Sequence, residues 1–263
     1  MLFFTNLCTY SFNISSLFFL SDYLLGSFAQ ITLEVLDFSS EVNFFEQLGF
    51  QKISSQSDPY PSALFTDGNI SYRINSFGNK SLGLIYYSDD LPALVSLLEA
   101  KGIDFYHKSI LEGKLTHAIF CDENDFDVDL LPLDHSRIFE PDGVPLSKCG
   151  KFGEFSISVN DLDSSFSFWT SLGFKGEKYE GNYPWSIIFD GKMVLGLHQT
   201  TDFSEPTITF FDINMKNIIT QLKADNLPGL QDSSIGEGFA NLTSPNGHKF
   251  FLFTGQIEEI STL

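Results

Sequence analysis

The sequence is poor in positive charge. Only 15 of its 263 residues are Lys or Arg against 34 Asp or Glu, and the formal net charge is −19. Such a surface repels a phosphate backbone or an anionic bilayer, which argues against nucleic acid and membrane as partners. Cysteine is equally sparse. Cys8, Cys121 and Cys149 are odd in number and widely scattered, without C-x-x-C spacing or a neighbouring His cluster, so neither a disulfide framework nor a zinc module is expected. They read as free thiols of a reducing compartment, and the expected location is the cytoplasm. No stretch is apolar enough to span a bilayer. The opening MLFFTNLCTYSFNISSLFFLSDYLLGSF is broken by polar residues and lacks the Lys or Arg flank of an export signal. Residues 1–27 are therefore set aside as an N-terminal extension, packed on the fold or translated from upstream. Trp occurs twice while Phe occurs 29 times, a bias assigned to genome composition rather than to an aromatic ligand site. A nucleophile elbow, a glycine-rich phosphate loop, a His-Glu-x-x-His pair and a Ser/His/Asp arrangement are all missing.

What is present is a repeat. Hydrophobic residues make up 43% and charged residues 19% of the chain, a globular composition able to bury a core. ITLEVLDFSSEVNFFEQLGF at 31–50 aligns with FSISVNDLDSSFSFWTSLGF at 155–174 at an offset of 124. Downstream, Tyr60-Pro61 recurs as Tyr183-Pro184 and Asp67-Gly68 as Asp190-Gly191 at an offset of 123. Two domains follow from this, one duplicated from the other.

Each copy opens with a period-2 strand. Ile31, Leu33 and Val35 share one face and Gln30, Thr32 and Glu34 the other; Phe155, Ile157 and Val159 oppose Glu154, Ser156 and Ser158 in the second copy. A helix follows, capped at Asp37 or Ser39 in one copy and near Asp163 in the other, and stopped by Gly49 and Gly173. Its aromatic residues, Phe44, Phe45, Phe166, Phe168 and Trp169, are core. A fainter module completes each half. In the first it has a strand at 82–88, a helix near 91–101 ended by Gly102, and strands near 116–121 and 126–131; its partner runs 206–253, with a helix at 215–224 and Asn226 in the place of Gly102. Asp122-Glu123-Asn124-Asp125 and Ser244-Pro245-Asn246-Gly247 read as matching tight turns.

Strand, Asp, helix, Leu-Gly-Phe, a strand ending in Asp-Gly, then a second module closing on a Pro-Asn-Gly type turn: this pattern resembles the vicinal oxygen chelate superfamily of glyoxalases, extradiol dioxygenases and bleomycin-resistance proteins. The resemblance implies an α+β fold of tandem domains, built from four βαβββ modules whose sheets curl into cups. It places domain one at 28–134 (modules 30–76 and 81–131), a linker at 135–150 and domain two at 151–255 (modules 153–199 and 205–253). It implies metal ligands on the first and last strands of modules, here Gln30, Asp129, Glu154 and His198, with Glu205 as an added possibility. Leu82 or Gly83, and Phe251, stand at ligand positions and cannot serve. If modules pair consecutively, as in extradiol dioxygenases, Gln30 meets Asp129 in one cup and Glu154 meets His198 in the other. If module two faces module three, then Asp129, Glu154 and His198 share a cup and suit Fe, Mn, Ni or Zn.

Arg73 is a candidate donor for a ligand carboxylate or phosphate, though an internal pair with Glu34 or Asp129 is preferred. Trp185 is a candidate to stack on a ligand at a cup rim. Two functions remain open. One is a metal-assisted lyase or dioxygenase acting on a small oxygenated molecule, with Glu154 as the proton-moving carboxylate. The other is a metal-free, bleomycin-resistance-like protein that binds a small molecule without catalysis. Either is compatible with a monomer or a homodimer.

Overall fold

In the computed structural model, which describes residues 24–78, 80–232 and 236–255, the chain is α+β. Residues 1–23 of the N-terminal extension, with Cys8, lie outside the described residues, while Leu25 is fully buried in the core. Module one comprises β1 (Phe28–Glu34), α1 (Phe38–Gln47), β2 (Gln51–Gln56), β3 (Ser62–Thr66) and β4 (Ser71–Asn75). Module two comprises β5 (Ser81–Ser88), α2 (Leu91–Ala100), β6 (Phe105–Leu111), β7 (Lys114–Cys121) and β8 (Asp127–Pro132). Module three follows with β9 (Lys151–Ser158), α3 (Leu162–Ser171), β10 (Lys175–Tyr179), β11 (Trp185–Phe189) and β12 (Val194–His198). Module four closes the fold with β13 (Thr207–Asp212), α4 (Met215–Ala224), β14 (Leu230–Asp232), β15 (Phe239–Thr243) and β16 (Lys249–Thr254).

Consecutive modules share a sheet. The orders are β2-β3-β4-β1-β5-β8-β7-β6 and β10-β11-β12-β9-β13-β16-β15-β14. At the centre of the first, β1 and β5 run antiparallel with Gln30 opposite Ile85, and the last strand of each module runs parallel beside its first. The second sheet repeats this about β9 and β13.

Local chemistry explains the element ends. Asp37, Asp90 and Asp161 each accept the free amide of a first helical turn, from Ser40, Ala93 and Ser164 at 3.1, 3.0 and 2.7 Å. The third helix thus starts at Asp161 rather than at Asp163, which lies in its first turn, where a carboxylate suits the helix dipole. Gly102 and Asn226 end the helices of modules two and four with φ of 90° and 54°, the left-handed stop that Asn tolerates best after Gly.

Side-chain alternation sets the two faces. Ile31, Leu33 and Val35 are fully buried on the helix side, in one core cluster that runs through both sheets. Phe44 of α1 packs on Phe250 of β16 with ring centroids 5.8 Å apart, and Phe126 packs on Phe155 at 5.5 Å. Modules one and four, and two and three, therefore meet through their apolar backs.

Two turns reinforce the contact. Asn246 Oδ1 accepts from Leu36 N at 2.9 Å and from Asp37 N at 2.8 Å, while its Nδ2 donates to Asp37 O at 2.9 Å and to Glu41 Oε2 at 2.8 Å. Asn124 mirrors it in the other half, accepting from Asn160 N at 2.9 Å and donating to Ser165 Oγ at 3.0 Å. The stretch between β8 and β9, read from sequence as a linker, is laid along module one: Gly143, Leu146 and Lys148 amides donate to the carbonyls of Gly68, Asp67 and Leu48.

Candidate functional site

The inner faces of the two sheets form two cups of different character. The first is open. Its cleft has a volume of about 1180 Å³ and is bounded by the inner face of the first sheet and, from the second half, by Ile157, Ser158 and residues 204–206. Period-2 alternation brings Gln30, Thr32 and Glu34 of β1, Arg73 and Asn75 of β4, Ile85 and Tyr87 of β5, and Asp129 of β8 to this one surface.

At its base lies a hydrogen-bonded trio. Gln30 is fully buried, and its Oε1 accepts from the Tyr87 hydroxyl at 2.9 Å and from Arg73 Nε at 3.4 Å, while its Nε2 donates to the Arg137 carbonyl at 3.1 Å. Arg73 Nη1 donates to Ser62 Oγ at 3.3 Å, and Nη2 donates to the same Arg137 carbonyl. The expected internal ion pair does not form: Arg73 bonds to neutral oxygens instead of Glu34 or Asp129. The reason is registry. Glu34 points to Asn75, whose Nδ2 donates to it at 2.9 Å, and Asp129 lies two strands away from Gln30's strand, where it pairs with His117 Nε2 at 2.5 Å. Burial pushes the Tyr87 hydroxyl above its ordinary range, with Arg73 pulling the other way. Burial also raises the Glu34 carboxyl, Asn75 opposes this, and the charge of Asp129 adds to it.

The second cup is filled by its own side chains. Glu154 is 3% and His198 7% exposed, and His198 Nε2 lies 2.7 Å from Glu154 Oε1, which also accepts from Ser156 Oγ at 2.7 Å. Gly196 makes room for this carboxylate: a Cβ there would fall 2.3 Å from Glu154 Cδ. Trp185, expected at a rim, is buried instead. Tyr179 stacks on it at 4.3 Å and the His198 ring lies parallel to it at 6.5 Å, so both faces are in use. Phe203 packs against His198 at 5.8 Å and against Phe251 at 5.6 Å, closing the cup.

The ligand set Asp129, Glu154 and His198 is thus divided between two sheets. Among the described residues no three His, Cys, Asp or Glu side chains come together as a metal group. In the first cup, the positions implied by the resemblance hold a Gln whose amide oxygen already accepts two hydrogen bonds, Gly83, and one carboxylate. In the second they hold a Glu and a His bonded to each other. Glu205 sits apart on the rim, 2.6 Å from Lys80. A divalent ion for Lewis-acid chemistry needs about three protein ligands and an open position, and neither cup fits that requirement. Sequence reasoning passed over Tyr87 and His117 and took Glu34 only as a partner for Arg73. Glu34 was reachable, since it shares Gln30's strand face, whereas Tyr87 and His117 carried no motif.

Cys121 and Cys149 are free thiols; Cys149 is buried and its pKa is pushed up to about 12. Among the described residues no helix is long and apolar enough to cross a membrane.

Comparison with known proteins places the fold. No protein-family model matches the sequence, and no curated protein matches it. Solved structures do match in shape. The 2,3-dioxygenase LapB from Pseudomonas sp. KL28 is 13% identical with a TM-score of 0.58, over 89% of this chain and 92% of that one. An E323L mutant of homoprotocatechuate 2,3-dioxygenase from Brevibacterium fuscum is 12% identical with a TM-score of 0.61, over 90% and 73%. The Mn(II)-bound glyoxalase from Novosphingobium aromaticivorans is 17% identical with a TM-score of 0.56, over 88% and 82%. At these identities the likeness concerns architecture alone: the chain shares the fold of these dioxygenase and glyoxalase structures.

Proposed function

We propose that the chain is a small-molecule-binding protein of this fold, with its site in the first cup and without a metal-centred reaction. The observation that carries this reading is the division of the donors: Asp129 faces the open cleft with His117, while Glu154 and His198 are bonded to each other under an aromatic cover. A carboxylate sealed in this way is poorly placed to move a substrate proton, so Glu154 is assigned a structural role in the second cup. The first cup retains the attributes of a ligand site, namely a sizeable cavity, a buried hydrogen-bonded base and a carboxyl with a raised pKa.

The test combines two measurements on the purified chain. Metal content by mass spectrometry is expected at background, and a screen of small organic molecules is expected to yield ligands that raise the melting temperature. Those ligands should lose their effect when Leu64, which lines the cleft, is changed to Trp. Near-stoichiometric metal that disappears in Asp129→Ala would overturn the reading in favour of a metal-assisted enzyme.

A further inference from the structure

Resting on that reading, the identity of the groups in the first cup narrows the ligand. Arg73 stands half-buried in the open cleft, yet its three hydrogen bonds go to uncharged oxygens, those of Gln30, Ser62 and the Arg137 main chain. Neutral acceptors orient a guanidinium without cancelling its charge, and Asp134, whose carboxyl is held low by its Ser136 hydrogen bonds and then by the charges of Arg137 and Arg73, offsets that charge only from a distance. Of its five N–H groups, three are used, which leaves one hydrogen on each terminal nitrogen, the number a two-oxygen acceptor takes. The group is also held in place: Gln30 is fully buried, and its amide is fixed by Tyr87 on one side and the Arg137 carbonyl on the other.

The Arg137 carbonyl marks where acceptors are received. It belongs to the stretch between the two sheets, and it accepts from both Gln30 Nε2 and Arg73 Nη2. A backbone oxygen from outside the sheet thus occupies the spot where two donors from different strands converge. Across the cleft stand the carboxyl groups of Glu34 and Asp129, with that of Asp134 nearer Arg73. They would repel a second negative charge, which favours a singly charged head over a dianion such as a phosphate monoester. At the mouth, Tyr60 and Phe77 lie ring to ring at 4.1 Å, with Phe77 54% exposed, offering a face to an apolar ring.

We infer that the first cup takes a monocarboxylate with an apolar, ring-sized body, its carboxylate docked on Arg73 beside the Arg137 carbonyl.

Binding of benzoate, its uncharged counterpart benzamide and the dianion phenyl phosphate to the whole chain, measured by calorimetry, tests this. Benzoate should bind about tenfold more tightly than either. Its affinity should fall as salt is raised from about 0.05 to about 0.5 M, while that of benzamide stays constant. Arg73→Met should bring benzoate down to the level of benzamide, and Arg73→Lys should keep part of the preference. Because the comparison of the three probes and the salt series use the unaltered chain, a poorly folding variant leaves the test intact. Equal affinity for benzoate and benzamide, a preference for phenyl phosphate, or no benzoate binding would each overturn the inference. Binding of benzamide that is blocked by Leu64→Trp would, in that event, leave the cleft standing as a binding site and remove only its anion specificity.

Discussion

The Tyr86 hydroxyl, on β5 of the first sheet, donates to the Asp190 carboxylate of the second half at 2.7 Å, and both side chains are buried. The equivalent aspartate of the other repeat, Asp67, is served within its own sheet by the Tyr72 hydroxyl at 2.8 Å. One Asp-Gly turn is thus closed locally, and its duplicate is closed by the partner half. Removing a hydroxyl from a buried carboxylate costs on the order of 2 kcal/mol. Tyr86→Phe and Tyr72→Phe should both lower the free energy of unfolding by that amount, read from urea denaturation. Only Tyr86→Phe should also separate the transitions of the two halves, seen as disagreement between Trp fluorescence and far-UV circular dichroism.

Two buried groups should give opposite pH dependences. Burial raises the Asp67 carboxyl from its ordinary 3.8 to about 6, so the folded chain holds this proton more tightly, and its contribution to stability falls as pH rises between those values. Burial lowers the His248 imidazole from 6.5 to about 4, so the unfolded chain takes up this proton first, and stability is lost as pH falls through that window. Each effect is on the order of 3 kcal/mol at its limit. Relative to the wild type, Asp67→Asn should make stability rise more steeply with pH between 4 and 6, and His248→Gln should make it rise less or fall. Identical pH profiles for both variants and the parent would refute the assignment.

Gly196 is constrained by Glu154. A methyl group at this position meets the buried carboxylate at 2.3 Å, which must then leave its bond to His198. Gly196→Ala should destabilise by about 2–3 kcal/mol. Because the clash is with one side chain, the double variant Gly196→Ala/Glu154→Ala should recover part of that loss, a non-additivity that a double-mutant cycle reads directly.

Asn246 and Asn124 occupy matching turns but satisfy different partners. Asn246→Ala strips a donor from the fully buried Glu41 carboxylate and an acceptor from two main-chain amides, with an expected cost of about 3 kcal/mol. Asn124→Ala removes a contact to Ser165, longer ones to the Glu123 and Asp122 carboxylates at 3.3 and 3.5 Å, and only one amide acceptor, and about 1–2 kcal/mol is expected. Equilibrium unfolding of the two variants should rank them in this order.

The features that repeat along the chain were legible in the sequence. Gly49, Gly173, Gly102 and Asn226 marked the helix ends, and alternation at Gln30 and Glu154 assigned the inner faces. The outermost strands were not. β6 is mostly exposed, and β14 is three residues long, so neither carries a burial pattern to read. Module pairing was also hidden, because every module has a polar and an apolar face and either arrangement satisfies the same alternation. The deciding contacts, β1 on β5 and Phe44 on Phe250, join positions far apart in the chain. The proposed site suffered most from this: Arg73, Tyr87 and Arg137 converge on Gln30 from three separate stretches, without a spacing that would announce them.

Each asparagine turn completes the start of a helix in the opposite half, with Asn246 at Asp37 and Asn124 at Asn160. Cut between 138 and 142, the polypeptide would become two fragments that keep their own aspartate caps but lose the asparagine contacts before them and the core they share. Their helix content should then depend on the concentration of the partner fragment, and mixing them should restore it, as in a split reporter.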